Sequence, residues 1–323
     1  MIATAAPGRT AVRPAVGVVM VVTSGALFAI NGTVSKLILE AGVDAPRLTL
    51  LRATGAWTGL TVIALLTRPG IARLRVVAAD LPLLITYGLA GFFFVPMLYF
   101  VSISRLPVGI ALLFEYTAPL LVALWARFGQ RRQVKSRLWY GLAGNLVGLA
   151  CITQFWHASL RLDTIGVLAG VAAAGLLCFY YVLGARGVTQ RDTVSLTWWA
   201  FGISAVAGLA VASVRHGALF PAHVLARESH GVPVWALAIY LVLGGSIASY
   251  LLVAGALRHL PPTSVGIIGM IEPVIASAVA WLVLRERLSA VQLVGGVLVL
   301  VGVAVAETAR TAGPGEAAEI PPA

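Results

Sequence analysis

Apolar residues gather along this chain in long blocks separated by short polar breaks. Ten blocks stand out, at roughly 16–38, 46–67, 80–103, 107–126, 137–155, 164–185, 194–214, 233–257, 261–283 and 288–306. Each is near the roughly 20 residues that a helix needs to cross a bilayer. The pattern predicts an all-α integral membrane protein with ten transmembrane helices. The longest connection, between blocks seven and eight, carries Arg215, His216, His223, Arg227, Glu228 and His230. Residues 1–15 are small and polar, like the start of a signal peptide, but the apolar run after them is too long to be cleaved. They are expected to form a cytoplasmic tail, and the Pro-rich residues 307–323 a second, disordered one.

Composition fits this picture. Hydrophobic residues make up 59% and charged residues 11% of 323 positions, where a soluble domain carries about 25% charged. The net charge of +11 is scattered in small groups between apolar runs, which excludes a nucleic-acid-binding face. Basic residues at span ends set orientation instead. With the N-terminus inside, fourteen Lys and Arg fall on inner connections and eight on outer ones. That bias predicts both termini on the cytoplasmic side of the cell membrane. It is concentrated in the first half, so the second half relies on the number of spans. Cys151 and Cys178 lie inside apolar runs, where buried, inert thiols are expected.

The chain repeats itself. Residues 106–119 read LPVGIALLFEYTAP and residues 260–273 read LPPTSVGIIGMIEP. One offset aligns Leu106 with Leu260, Pro107 with Pro261, Pro119 with Pro273, Arg131 with Arg285, Gly141 with Gly295 and Gly148 with Gly302. A slightly shorter offset pairs Gly25 with Gly175 and Lys36 with Arg186. Blocks 1–5 therefore match blocks 6–10, giving repeats at 16–155 and 164–306. Five spans per repeat make the second copy enter from the opposite side, the inverted arrangement found in many transporters.

The segment IEPVIASAVAWLVLRERLSAVQLVGGVLVLVGV (271–303) resembles the closing part of an EamA-type permease repeat, of the drug/metabolite transporter superfamily. LPVGIALLFEYTAPLLVALWARFGQRR (106–132) is similar to the same element. The resemblance implies ten helices in two inverted five-helix repeats around a central cavity, and export or exchange of small metabolites. The halves differ at one turn, which reads Arg285-Glu286-Arg287 in the second and Gln130-Arg131-Arg132 in the first.

Within the apolar blocks a few polar residues stand out. Glu115 precedes Pro119 by four residues. A proline has no N–H, so Pro119 frees the carbonyl of Glu115 itself, at a position that also carries a titratable carboxyl. In the second repeat Pro273 frees the carbonyl of Gly269, and the carboxyl is Glu272. An ionisable group deep in a span reads as functional by default, here as a proton carrier. The competing reading is a structural carboxyl that ties two helices together.

Arg52 is the one arginine inside an apolar block. It reads as an anchor for a substrate carboxylate, a partner for Glu115, or a side chain snorkelling to the interface. Asn31 is deep enough to face a cavity, with Tyr181 opposite it in the repeat. Tyr99, Tyr116, Tyr180 and Tyr250 are further candidate wall residues. Trp198 and Trp199 read as interfacial anchors, as does Lys36. Asn145, beside Gly144 and Gly148, reads as a hydrogen bond between closely packed helices.

The loop histidines lack ligand spacing, and no phosphate-cradling loop, serine elbow or HExxH occurs. Neither metal nor cofactor is expected. The expected partners are a small solute, protons and the bilayer, without nucleic acid and without a nucleotide-binding subunit. The function predicted is a secondary active transporter, an exporter of small metabolites such as amino acids. Two alternatives remain at this stage. A passive channel is compatible with kinked inverted repeats. A membrane-embedded enzyme would need a catalytic pair, and Asp80 and Asp163 sit only at segment edges.

Overall fold

The computed structural model describes residues 13–131, 133–154, 156, 163–214, 222–284 and 289–309. The tails beyond these limits, Arg132, Arg215, His216 and the turn Arg285-Glu286-Arg287 lie outside the described residues, and so do the expectations attached to them.

One helical element falls in each of the ten apolar blocks. They are α1 (Pro14–Glu40), α2 (Ala45–Leu66), α3 (Ala78–Arg105), α4 (Val108–Gly129), α5 (Ser136–Thr153), α6 (Thr164–Gln190), α7 (Thr193–Val214), α8 (Val234–Ala256), α9 (Pro262–Gly269 with Glu272–Leu284) and α10 (Ala290–Thr308). All but α5 and α9, eight among the described residues, are long and apolar enough to cross a membrane. This is an all-α membrane protein. Its only β-structure among the described residues is a two-residue hairpin, Glu228–Ser229 with Val232–Pro233, between α7 and α8.

Short-range chemistry sets the helix ends. Asp44 accepts from the Arg47 N–H at 2.9 Å and starts α2, and Asp163 accepts from the Gly166 N–H at 2.8 Å and starts α6. Such caps satisfy donors that the first helical turn leaves without partners. Ser289 and Gln292 form a reciprocal capping box at the start of α10.

Inside the membrane region the helices are broken in matching places. In α4 the helix stops at Glu115 and restarts at Ala118. In α9 it stops at Gly269 and restarts at Glu272. Pro119 and Pro273 withhold the N–H that would have bridged each gap. A second matched irregularity is a widened π-turn, at Gly88–Phe94 in α3 and Leu243–Ala248 in α8. In α8 one carbonyl of that widened stretch and one just before it are taken by side chains. Ser246 Oγ donates to Leu241 O and Ser249 Oγ to Gly244 O, both at 2.7 Å.

Helices α5 and α10 pack backbone to backbone. A Cβ on Gly148 would meet Gly295 O at 2.6 Å, and one on Gly141 would meet Gly302 O at 2.7 Å. Gly144 sits more loosely, 3.8 Å from Gly302 Cα by the same measure, so Gly148 and Gly141 make the close approach. Asn145 departs from its expected role. It is fully buried against Gly302, yet neither atom of its amide has a hydrogen-bond partner. The seam leaves it packed rather than bonded. Gln154, which ends α5 with a φ of 45°, donates from Nε2 to Ser289 Oγ at 2.7 Å and pins one end of the pair.

At one end of the bundle a polar network ties the two halves. Arg191 Nη1 meets Asp80 Oδ2 at 2.7 Å, Arg191 Nη2 donates to Arg75 O, and Arg258 Nη2 donates to Arg191 O at 2.8 Å. Arg105 pairs with Asp163 at 3.2 Å elsewhere. Both aspartates are therefore structural groups at helix ends. Lys36 Nζ reaches Ile103 O at 2.5 Å, fastening the end of α1 to the end of α3. His230 pairs with Glu40 across 3.5 Å and is well exposed.

Candidate functional site

The broken helices converge on one central cavity of about 110 Å³. That is small beside the roughly 300–1,000 Å³ of pockets for drug-sized ligands, and suited to a small solute. Helices α1, α2, α3, α4, α6, α8 and α9 contribute to its wall. Asn31, Arg52, Tyr99, Glu115, Tyr116, Tyr181, Tyr250 and Glu272, all singled out in the sequence, line it.

Glu115 ends the first section of α4, and Glu272 begins the second section of α9. The helix interruptions therefore deliver one carboxyl from each half to the same space. Tyr116 and Glu272 interact through their side chains, so a residue beside one carboxyl contacts the other. Tyr181 comes from α6, whose backbone passes both breaks.

Arg52 does not snorkel, and among the described residues it pairs with no carboxylate. Its relative exposure is 2%, which removes the interfacial reading. Nη1 donates to Phe92 O at 3.3 Å. That carbonyl is available because the residue four positions on is Pro96, which has no N–H to offer it. Ser204 Oγ donates to the same carbonyl at 2.9 Å. The guanidinium lies over two rings, 4.9 Å from the centroid of Tyr250 and 5.2 Å from that of Phe201. Its second terminal nitrogen, Nη2, is buried without a partner, and so is Asn31 Oδ1. Phe92 also packs edge-on against Phe201 at 4.8 Å and tilted against Tyr250 at 4.7 Å, making a stiff aromatic floor.

Tyr180, also a candidate wall residue from the sequence, lines it beside Tyr181 and stacks on Tyr87 at 5.4 Å. Sequence reading passed over Phe28, which lines it too and meets Tyr250 edge-on at 5.5 Å. Pro96 was a signal in plain view, since a proline inside a span frees a carbonyl as Pro119 does. Trp198 and Trp199 lie away from this cavity and donate to Thr61 Oγ1 at 2.8 Å and Leu74 O at 2.9 Å.

The sequence profile of the EamA-like transporter family matches this chain twice, over residues 15–154 and 164–308. The chain belongs to the EamA-like transporter family. Two curated relatives illustrate the kinship. An uncharacterized transporter of Archaeoglobus fulgidus is 26% identical over 277 residues, 85% of this chain and 91% of its own. The threonine/homoserine exporter RhtA of Escherichia coli K12 is 28% identical over 253 residues, 78% of each chain. A solved crystal structure, 18% identical, matches the fold with a TM-score of 0.73 over 91% of this chain and 98% of its own. This family member is a multi-pass membrane transporter. Its two profile matches divide the helices five and five, and each match contains one broken helix with its carboxyl.

Proposed function

We propose that this protein is a secondary active transporter of the cytoplasmic membrane that exports small metabolites, amino acids among them, in exchange for protons. The reading has ten spans in two inverted five-helix halves, residues 16–155 and 164–306, with both termini in the cytoplasm. The observation that carries it is the meeting of Glu115 and Glu272 in one small cavity, each delivered by the interrupted helix of its half. A buried carboxyl is the group a membrane carrier needs to take up a proton on one side and release it on the other. Matched breaks allow the two halves to rock around a fixed site. The remaining wall residues, Asn31, Arg52, Tyr99, Tyr116, Tyr181 and Tyr250, bind the solute. That RhtA is named a threonine/homoserine exporter supports amino acids as the first solutes to try.

The test uses the protein in liposomes with an imposed pH gradient. Glu115→Gln should abolish gradient-driven flux of L-threonine or of whichever solute the wild type carries, while the protein still purifies as a folded species. Full proton-driven flux in Glu115→Gln removes this carboxyl from the mechanism. Counterflow that does not saturate points to a channel and overturns the carrier.

A further inference from the structure

Arg52 is the least explained group in the cavity. A guanidinium presents five donors in a fixed fork. Here Nη1 donates to the Phe92 carbonyl at 3.3 Å and the Tyr250 side chain engages the guanidinium, while Nη2 is buried without a partner. Taking a cation out of water without a counter-charge is costly. Two carboxyls line the same cavity, yet among the described residues no ion pair joins Arg52 to Glu115 or Glu272. The rings of Tyr250 and Phe201 sit over the guanidinium and hold its plane, and the Phe92 carbonyl holds one edge. Positive and negative groups are thus kept apart across a space a few atoms wide.

We propose that Arg52 clasps the carboxylate of the transported solute, and that the solute is a small zwitterion whose ammonium end turns toward Glu115 and Glu272. The assignment rests on the cavity being the transport site. An incoming carboxylate supplies the acceptor that Nη2 lacks, in the paired geometry that guanidinium favours. Asn31, whose buried Oδ1 also lacks a partner, takes a donor from the ammonium or a side-chain hydroxyl. One molecule then completes both unpaired groups, Arg52 Nη2 and Asn31 Oδ1. Cationic amines without a carboxylate fail the first of these contacts, which makes Arg52 the selector between amino acids and amines.

Binding at equilibrium, with no pH gradient, tests this. The purified wild-type protein is challenged with the L-amino acids and with their C-terminal amides, each amide a matched cation lacking only the carboxylate. Thermal stabilisation and competition are read for every pair. The acids should bind about 10- to 100-fold more tightly than their amides, the range expected for hydrogen bonds to a charged group. Arg52→Gln should erase that ratio, and Arg52→Lys should keep its direction while losing about tenfold through the missing fork. Should Arg52→Gln not fold, as judged by gel filtration, the wild-type acid-to-amide ratio decides alone. Equal binding of acid and amide, an unchanged ratio in Arg52→Gln, or no acid bound at all overturns the proposal. Acids bound through Arg52 without proton-driven flux would sink the coupling and keep this assignment. Proton-driven flux of a simple amine would do the reverse.

Discussion

Gly148→Ala offers a demanding test of the packing. A Cβ at this position would stand 2.6 Å from Gly295 O and 2.8 Å from Val299 N, both backbone atoms that cannot rotate away. Ordinary contact begins near 3.4 Å, so the two helices would have to separate by about 0.8 Å along the seam. Overpacking of this kind costs about 1–3 kcal/mol. Against it stands the gain of replacing glycine by alanine inside a helix, about 0.5–1 kcal/mol. The net expectation for Gly148→Ala is a loss of about 1–2 kcal/mol. Two alanine variants serve as controls. Gly144 is one turn away on the same helix, with 3.8 Å to its nearest neighbour, and Gly175 in α6 has nothing within 4 Å. Both should be neutral or slightly stabilised. Unfolding in mixed micelles, titrated with a denaturing detergent and followed by circular dichroism, measures all three. Equal stability of Gly148→Ala and Gly144→Ala would refute the close backbone approach.

Other expectations concern the polar ends of the helices. Asp80→Asn breaks the 2.7 Å pair with Arg191, whose side chain is 8% exposed, and should cost about 1–2 kcal/mol in the same unfolding assay. Asp163→Asn, at the more exposed pair with Arg105, should cost less; the reverse order would refute the burial argument. The Gly166 N–H, with help from Arg105, holds the Asp163 carboxyl below the usual carboxylate range. Its contribution is therefore fully present above the ordinary value, about pH 4 for aspartate, and is lost as pH falls through the lower folded value. Asp163→Asn should flatten that acid limb of the thermal stability profile, and an unchanged acid slope would show the cap to be idle.

Much of the site was legible because lipid is an unforgiving solvent. Glu115, Glu272, Arg52 and Asn31 stand out in apolar runs, and such residues avoid the acyl chains by facing a shared interior space. The breaks were legible through Pro119 and Pro273, since the missing N–H acts on the backbone whatever the surroundings. Partnerships were harder to see. Nothing local distinguishes Tyr180 from Tyr181, both of which reach the cavity from adjacent positions of α6. That Arg52 meets the Phe92 carbonyl depends on how α2 lies against α3, a matter of packing. Asn145 misled because polar residues at helix seams usually bond across them. Here glycine contacts draw the backbones together, and the amide is packed against Gly302 with no hydrogen-bond partner on either atom.

The seam between α5 and α10 bears on how such a carrier can change shape. Neither helix touches the central cavity. Helices that meet backbone to backbone, as at Gly141 and Gly148, have little slack in which to slip, so this pair behaves as one spine. Helices α4 and α9, each interrupted next to its carboxyl, border that spine. Bending at Tyr116–Thr117 and at Met270–Ile271 would let the two sections of each helix change their angle beside that pair. The fold thus places its stiffest joint beside its two helix breaks, and each break falls next to one of the two cavity carboxyls, Glu115 and Glu272.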